Sequence, residues 1–267
     1  MAMRRRTIML ALGAAVLARV PVRAADPSTT ADPHAMTVDH TPWQSILDRY
    51  VSASPDGINR FAYGRVSAAD KGALKAYLGA LQGVRVSPLG ESEQRAYWIN
   101  FYNALTIDVV LDHYPVKSIR DIGGGLFVTG PWKKELVAVE GRKLSLDNIE
   151  HDILRKTWRD PRVHYAVNCA SMSCPNLMRE AFTGAKLEQM LNQGARDYVN
   201  HPRGARVVNG KLTLSQIYEW YRRDFGSRDS EVIAHVARYA EPKLKTQLAS
   251  IEFIAGYDYD WSLNEAK

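Results

Sequence analysis

An α+β fold, a helix-rich domain packed on a small and mainly antiparallel sheet, is what this chain of 267 residues predicts. Three observations carry the prediction. A long stretch from about Glu91 to His113, "ESEQRAYWINFYNALTIDVVLDH", is apolar almost all round, which suits a helix at the centre of a domain. Asn209-Gly210 stands between two short apolar strands, the signature of a two-residue hairpin turn. Helical patterns outnumber strands, and the strands gather in the second half.

The chain opens on a pattern that predicts export. Arg4, Arg5 and Arg6 form a basic region, Thr7 to Ala18 an apolar run, and Val22-Arg23-Ala24 offers small residues at the two positions a signal peptidase reads. The run is too short for a bilayer core, which needs about 20 apolar residues, so no membrane span is expected. The paired arginines leave the twin-arginine route open beside ordinary secretion, and the expected location is periplasmic or secreted. Residues 1–24 are thus read as a signal peptide, residues 25–40 as an extended leader, and residues 41–267 as a single globular domain. The signal holds five arginines and no acid, so the formal net charge of +6 falls to +1 without it. That balance gives no reason to expect nucleic acid as a partner.

The elements follow in order. Thr41-Pro42 reads as N-cap and first position of a helix with Trp43, Ile46, Leu47 and Tyr50 on its apolar stripe. Ser67 caps a second helix through Leu74, Tyr77, Leu78 and Leu81, and the central helix closes before Pro115. The central helix carries Asn100, Asn103 and Asp108, which need internal partners because an unsatisfied buried polar group costs about 1–3 kcal/mol. After the glycines at 123 to 125, "KELVAVEGRKLSL" predicts a hairpin turning near Glu140-Gly141. Ser145 caps a helix with Leu146, Ile149, Ile153 and Leu154 on one stripe, "VHYAV" predicts a strand, and "PNLMREA" a short helix. Thr183 caps a helix to about Tyr198, the hairpin "ARVVNGKLTL" follows, helices open at Ser215 and Ser230, and "IEFIAGYDYDW" is a closing strand.

Chemistry concentrates in "VHYAVNCASMSCPNL", which holds both cysteines. A metal site would need four ligands, and Cys169 and Cys174 with His164 make an incomplete, oddly spaced set, so no metal is expected. Export and an even cysteine count make a Cys169–Cys174 disulfide feasible. A nucleophile is the other reading. Cys169 lies where the predicted strand meets a turn, and Cys174 precedes a predicted helix start that would favour a thiolate. His151 is the better base, with Glu150 and Asp147 as neighbouring acids, and His164 is the alternative. Adjacent residues of a regular helix point about 100° apart. Glu150 therefore orients His151 only if the helix distorts, or else acts on the site separately. Asn100, Asn103 and Asn168 are candidates for oxyanion donors or for orienting a histidine, alongside ordinary packing roles. No phosphate loop, GxSxG or HExxH occurs, and the glycines at 123 to 125 lack a dinucleotide-binding context, so no cofactor is expected.

Four ordered motifs, "YWINFYNALTI", "KLSLDNIEHDILR", "DPRVHYAVNCASMSCPNL" and "YDYDWSLN", together resemble the domain of unknown function family 547 over roughly residues 60 to 264. The resemblance implies a papain-like or transglutaminase-like α+β fold and a Cys-His-Glu arrangement at Cys169, His151 and Glu150. It favours Cys169 over Cys174 and His151 over His164. Histidine precedes cysteine, the reverse of papain, so the topology would be permuted or unrelated. The expected activity is that of an exported cysteine-dependent hydrolase or acyl transferase acting on an amide or thioester, with a peptide or small molecule as substrate. The alternative is a non-catalytic binding or scaffold module stiffened by a Cys169–Cys174 bridge.

Overall fold

A computed structural model describes residues 36–123 and 130–266. The candidate signal peptide, most of the leader, and Gly124 and Gly125 lie outside the described residues.

Helix α1 (Thr41–Tyr50) runs straight into a small hairpin of β1 (Val51–Ala53) and β2 (Asn59–Phe61), which the sequence patterns do not announce. His40, one residue earlier than expected, is the N-cap of α1. Helix α2 (Ala68–Gln82) is capped as its sequence indicates, with the Ser67 hydroxyl accepting from the Asp70 amide. Its buried Leu74, Tyr77, Leu78 and Leu81 face the central helix α3 (Glu91–His113).

In α3, 18 of 23 residues are buried, so the helix is the axis of the main hydrophobic cluster rather than a surface element. Most of its polar side chains find the partners their burial demands, the buried Thr106 hydroxyl being an exception among the described residues. The Asn100 amide donates to Phe182 O at 2.7 Å and accepts from Phe182 N at 2.9 Å. Asp108 is held by Lys75 at 2.9 Å, and Arg95 pairs with Asp160 at 2.6 Å.

The hairpin of β3 (Val137–Val139) and β4 (Arg142–Leu144) turns at Glu140 and Gly141, both with positive φ as a type I′ turn requires. Next comes a π-helix, Asn148–Arg155, continued by one α-turn, α4 (Lys156–Trp158). Ser145 starts it, its hydroxyl accepting from the Asn148 amide at 3.1 Å.

The predicted strand at "VHYAV" does not form. Pro161–Tyr165 is a 3₁₀-helix capped by Asp160, which accepts from the Arg162 amide at 2.9 Å. The β-branched and aromatic residues that suggested a strand are there for burial. Val163 packs into the main cluster and Tyr165 into a second one, so this short turn joins the two cores. Nor is there a helix after Cys174, where "PNLMREA" is irregular.

The second core gathers around α5 (Leu187–Val199) and a three-stranded sheet. Strand β5 (Ala205–Val208) pairs antiparallel with β6 (Lys211–Ser215) through the Asn209-Gly210 turn, both residues with positive φ. Short helices α6 (Ile217–Trp220) and α7 (Arg222–Phe225) lead to α8 (Asp229–Tyr239) and α9 (Pro242–Leu248), the last unannounced by the sequence patterns. Strand β7 (Ile254–Asp258) joins β6 in parallel, so this sheet is mixed. The architecture is α+β, with three small sheets among the described residues in place of one.

Beyond β7 the chain crosses the cysteine loop as a strap. Ser173 N donates to Asp260 O, Met172 N to Ser262 O, and Asn264 N to Ala170 O, at 2.8–3.1 Å. Asn264 also accepts from Tyr63 at 2.8 Å, tying the strap back to the first third of the chain. No helix among the described residues is long and apolar enough to cross a membrane.

Candidate active site

Four segments far apart in sequence converge on one cavity of about 540 Å³: the π-helix, the cysteine loop, the α6–α7 turn and the C-terminal strap. Cys169, Cys174, Glu150, His151 and His164 all line it.

The loop that presents Cys169 is held by the asparagines. Asn103 Nδ2 donates to Ala166 O at 2.9 Å, and its Oδ1 accepts from Asn168 N at 2.8 Å. Asn168 in turn donates to Pro175 O at 2.6 Å and accepts from Ala170 N at 2.8 Å. With Asn100 spent on Phe182, all three amides serve the main chain and fix the shape of the loop. None of the three lines the cavity.

The Cys169 sulfur has three close polar neighbours: Cys174 Sγ at 3.2 Å, Tyr259 Oη at 3.2 Å and Ser171 Oγ at 3.3 Å. Both cysteines are free thiols. The hydrogen bond with Cys174, then those with Ser171 and Tyr259, hold the Cys169 thiol below its ordinary value against the opposing effect of burial. Burial, together with that same hydrogen bond, pushes the Cys174 thiol up. Ser171 donates to Tyr259 Oη at 2.8 Å, which leaves the Tyr259 hydroxyl hydrogen free to point at the Cys169 sulfur. The two thiols are therefore unequal: Cys169 is the one disposed to ionise.

The π-helix resolves the geometry of Glu150 and His151. Its wider turn, about 4.4 residues, brings neighbouring side chains to roughly 80° apart and is a distortion often found at functional sites. Glu150 Oε1 lies 4.0 Å from His151 Nδ1 and 3.8 Å from His164 Nδ1, so one buried carboxylate faces both rings at Coulombic range. His151 Nδ1 is 3.2 Å from Arg155, which can only donate, and its Nε2 is 3.7 Å from Asp147.

The two histidines differ in access. The His164 side chain is 1 % exposed, whereas that of His151 is 36 % exposed. His164 Nε2 bonds to Asp224 Oδ2 at 2.7 Å, and its ring stacks on Tyr221 at 4.0 Å, with the Arg155 guanidinium also over the Tyr221 ring at 4.7 Å. Burial pushes the His164 ring below an ordinary histidine, with Asp224 working the other way. Burial likewise opposes the Asp224 charge, but the bonds from His164 and Arg155 more than offset it and hold that carboxyl below the usual range. His164 is thus a buried, stacked ring, and His151 the solvent-accessible one. Cys169 makes no hydrogen bond to either histidine among the described residues, though all three line the same cavity.

An aromatic cluster also lines the cavity. Trp261 packs on Tyr259 at 4.7 Å, on Trp220 at 5.4 Å and on Trp132 at 5.8 Å, centroid to centroid. Among the described residues no three His, Cys, Asp or Glu side chains converge as a metal site would require.

Residues 86–199 match one family model: protein of unknown function, DUF547. The DUF547 match is narrower than the span of motif resemblance, but it holds Cys169, Cys174, Glu150, His151, His164 and the three asparagines. Asp224, Tyr221, Tyr259 and the strap lie C-terminal to the DUF547 match. No curated protein matches the chain, and no solved structure matches it.

Sequence reasoning overlooked Tyr259, Asp224, Ser171 and Arg155 as site residues. Tyr259 was legible as part of the closing motif. Asp224, 60 residues from the ring it holds, left no local signal.

Proposed function

We propose that the protein is a cysteine-dependent hydrolase or acyl transferase acting on an amide or thioester, with Cys169 as nucleophile. The observation that carries this reading is the acidified Cys169 sulfur, set between Tyr259 and Cys174 in a cavity shared with His151 and Glu150.

In this reading the Cys169 thiolate attacks a carbonyl carbon and forms a tetrahedral adduct, which collapses to an acyl-enzyme as the amine or thiol leaves. His151 takes the thiol proton and returns it to the leaving group; its exposure and its lack of a bond to Cys169 let the ring turn toward an occupied site. Glu150, buried beside the ring, supports the imidazolium. With the asparagine amides spent on the main chain, the Tyr259 hydroxyl is the donor placed for the oxyanion. The basic, apolar and small-residue pattern of residues 1–24 supports action outside the cytoplasm.

The test is iodoacetamide labelling of the purified protein against pH, comparing Cys169→Ala with Cys174→Ala. Cys174→Ala retains the fast label and Cys169→Ala loses it. If Cys169 reacts no faster than a free thiol of pKa about 8.5, the nucleophile reading fails.

The 3.2 Å contact between the two sulfurs favours one second reading, a binding module whose loop is stiffened by a Cys169–Cys174 bridge. Thiol counting on denatured, unreduced protein separates them: two free thiols support the enzyme, none the module.

A further inference from the structure

A second cavity, of about 400 Å³, opens on the other side of His151, between the end of the π-helix, α4 and α7. Its cationic side chains are Arg155, Lys156, Arg159 and Arg223. Its two acids are already engaged. Asp224 holds Arg155 at 2.6 Å and His164 at 2.7 Å, and Asp160 holds Arg95 and Arg162, each at 2.6 Å. Lys156, Arg159 and Arg223 are left with no carboxylate partner among the described residues.

Folding alone does not account for three like charges gathered around one hollow. Like charges at this range repel and disfavour the compact state. Lys156 lies in the last turn of a helix and Arg159 is its C-cap, where the terminal carbonyls favour cations, but that end is worth only about half a negative charge. It cannot neutralise three. Arg159 adds an independent sign. It sits in the left-handed region at φ 52, a conformation that costs a residue with a side chain about 1–2 kcal/mol and gathers at functional sites. Glycine, which stops helices here at no such cost, would be the easy choice. Instead the chain keeps a guanidinium facing the cavity.

We propose that this bay binds an oxygen-borne anionic group, a carboxylate or phosphate, and that His151 is the wall between it and the cysteine cavity. That the anion belongs to the substrate of Cys169 rests on the nucleophile reading; the anion site does not. The substrate class that follows is an acyl compound with its scissile carbonyl over Cys169, its body against the aromatic cluster, and a negative group reaching past His151 into the bay. Guanidinium groups suit such a group because they offer parallel donors to two oxygens.

The test follows the ring resonances of His151 by NMR while inorganic phosphate, and in a second arm acetate, is added at constant ionic strength. The phosphate arm is expected to saturate in the millimolar range, and the double variant Lys156→Gln/Arg223→Gln, both exposed positions, to bind about tenfold more weakly. The acetate arm distinguishes a general oxyanion site, where both saturate, from one that requires the phosphate dianion. Arg159→Gly gives a signature that a structural role would not: a raised melting temperature, because strain is relieved, together with weakened phosphate binding. Shifts that stay linear in concentration, or a double variant that binds as tightly as the parent, overturn the proposal. Iodoacetamide labelling of the parent is run alongside. Fast labelling without phosphate binding sinks the bay alone, and phosphate binding without fast labelling sinks the nucleophile alone.

Discussion

Asp224 grips His164 at 2.7 Å and Arg155 at 2.6 Å with the same carboxylate oxygen. One acid thereby ties the 3₁₀-helix before the cysteine loop to the π-helix that bears His151. Asp224→Asn keeps the shape and removes the charge, leaving a part-buried guanidinium short of its partner. We expect a loss of about 1–3 kcal/mol in urea unfolding, and about 3 kcal/mol or more for Asp224→Ala.

Tyr259→Phe deletes one donor to the Cys169 sulfur. A bond to a charged acceptor is worth about 1.5–3 kcal/mol, so the midpoint of the Cys169 alkylation rate against pH should rise by about one to two units. The direction follows from removing support for the thiolate. An unmoved midpoint in a folded variant would show that the hydroxyl does not serve the sulfur.

Stability should fall as pH drops from about 6.5 to about 4. His40 and His235 are buried, and burial lowers each to about 4. His40 bonds through Nδ1 to Tyr77 at 2.7 Å while its buried Nε2 has no partner among the described residues; His235 bonds to Tyr165 at 2.9 Å within an aromatic nest. Between the two values the unfolded chain binds protons that the folded one refuses. The stability is therefore complete above about 6.5 and is lost progressively below it, by about 2–3 kcal/mol for each ring. Urea titrations from pH 7 to 4.5 measure the slope, and His235→Phe should make it shallower.

Asn103→Ala should damage the site without touching the cavity. It breaks two buried bonds, to Ala166 O and from Asn168 N, leaving both main-chain groups unpaired at about 1–3 kcal/mol each. Cys169 labelling should slow as the loop loosens, while Asn100→Ala, whose bonds go to Phe182 instead, should cost stability with little effect on that rate.

Local chemistry was readable where it had no competitor. Helix α3 runs over the residues its all-round apolar pattern marks, because no other environment would take so many apolar side chains. Asn209-Gly210 and Glu140-Gly141 turn as the left-handed tolerance of those residues requires. "VHYAV" misled because strand propensity and core burial favour the same residue types, and here burial decided. The widened turn at Glu150 and His151 could be framed from spacing, as a demand that the helix distort, but not located. The partners of the reactive groups were the least legible. Tyr259 reaches Cys169 across 90 residues and Asp224 reaches His164 across 60, and nothing in a local window records such contacts.

The C-terminal strap bears on when this site comes into being during synthesis. Two of the supports of the Cys169 thiol come from the C-terminal strap: the bonds with residues 260–264 that help order its loop, and the hydroxyl of Tyr259. On the ribosome these emerge some ninety residues after the cysteine. Until they dock, Cys169 has only its local partners, Ser171 and Cys174.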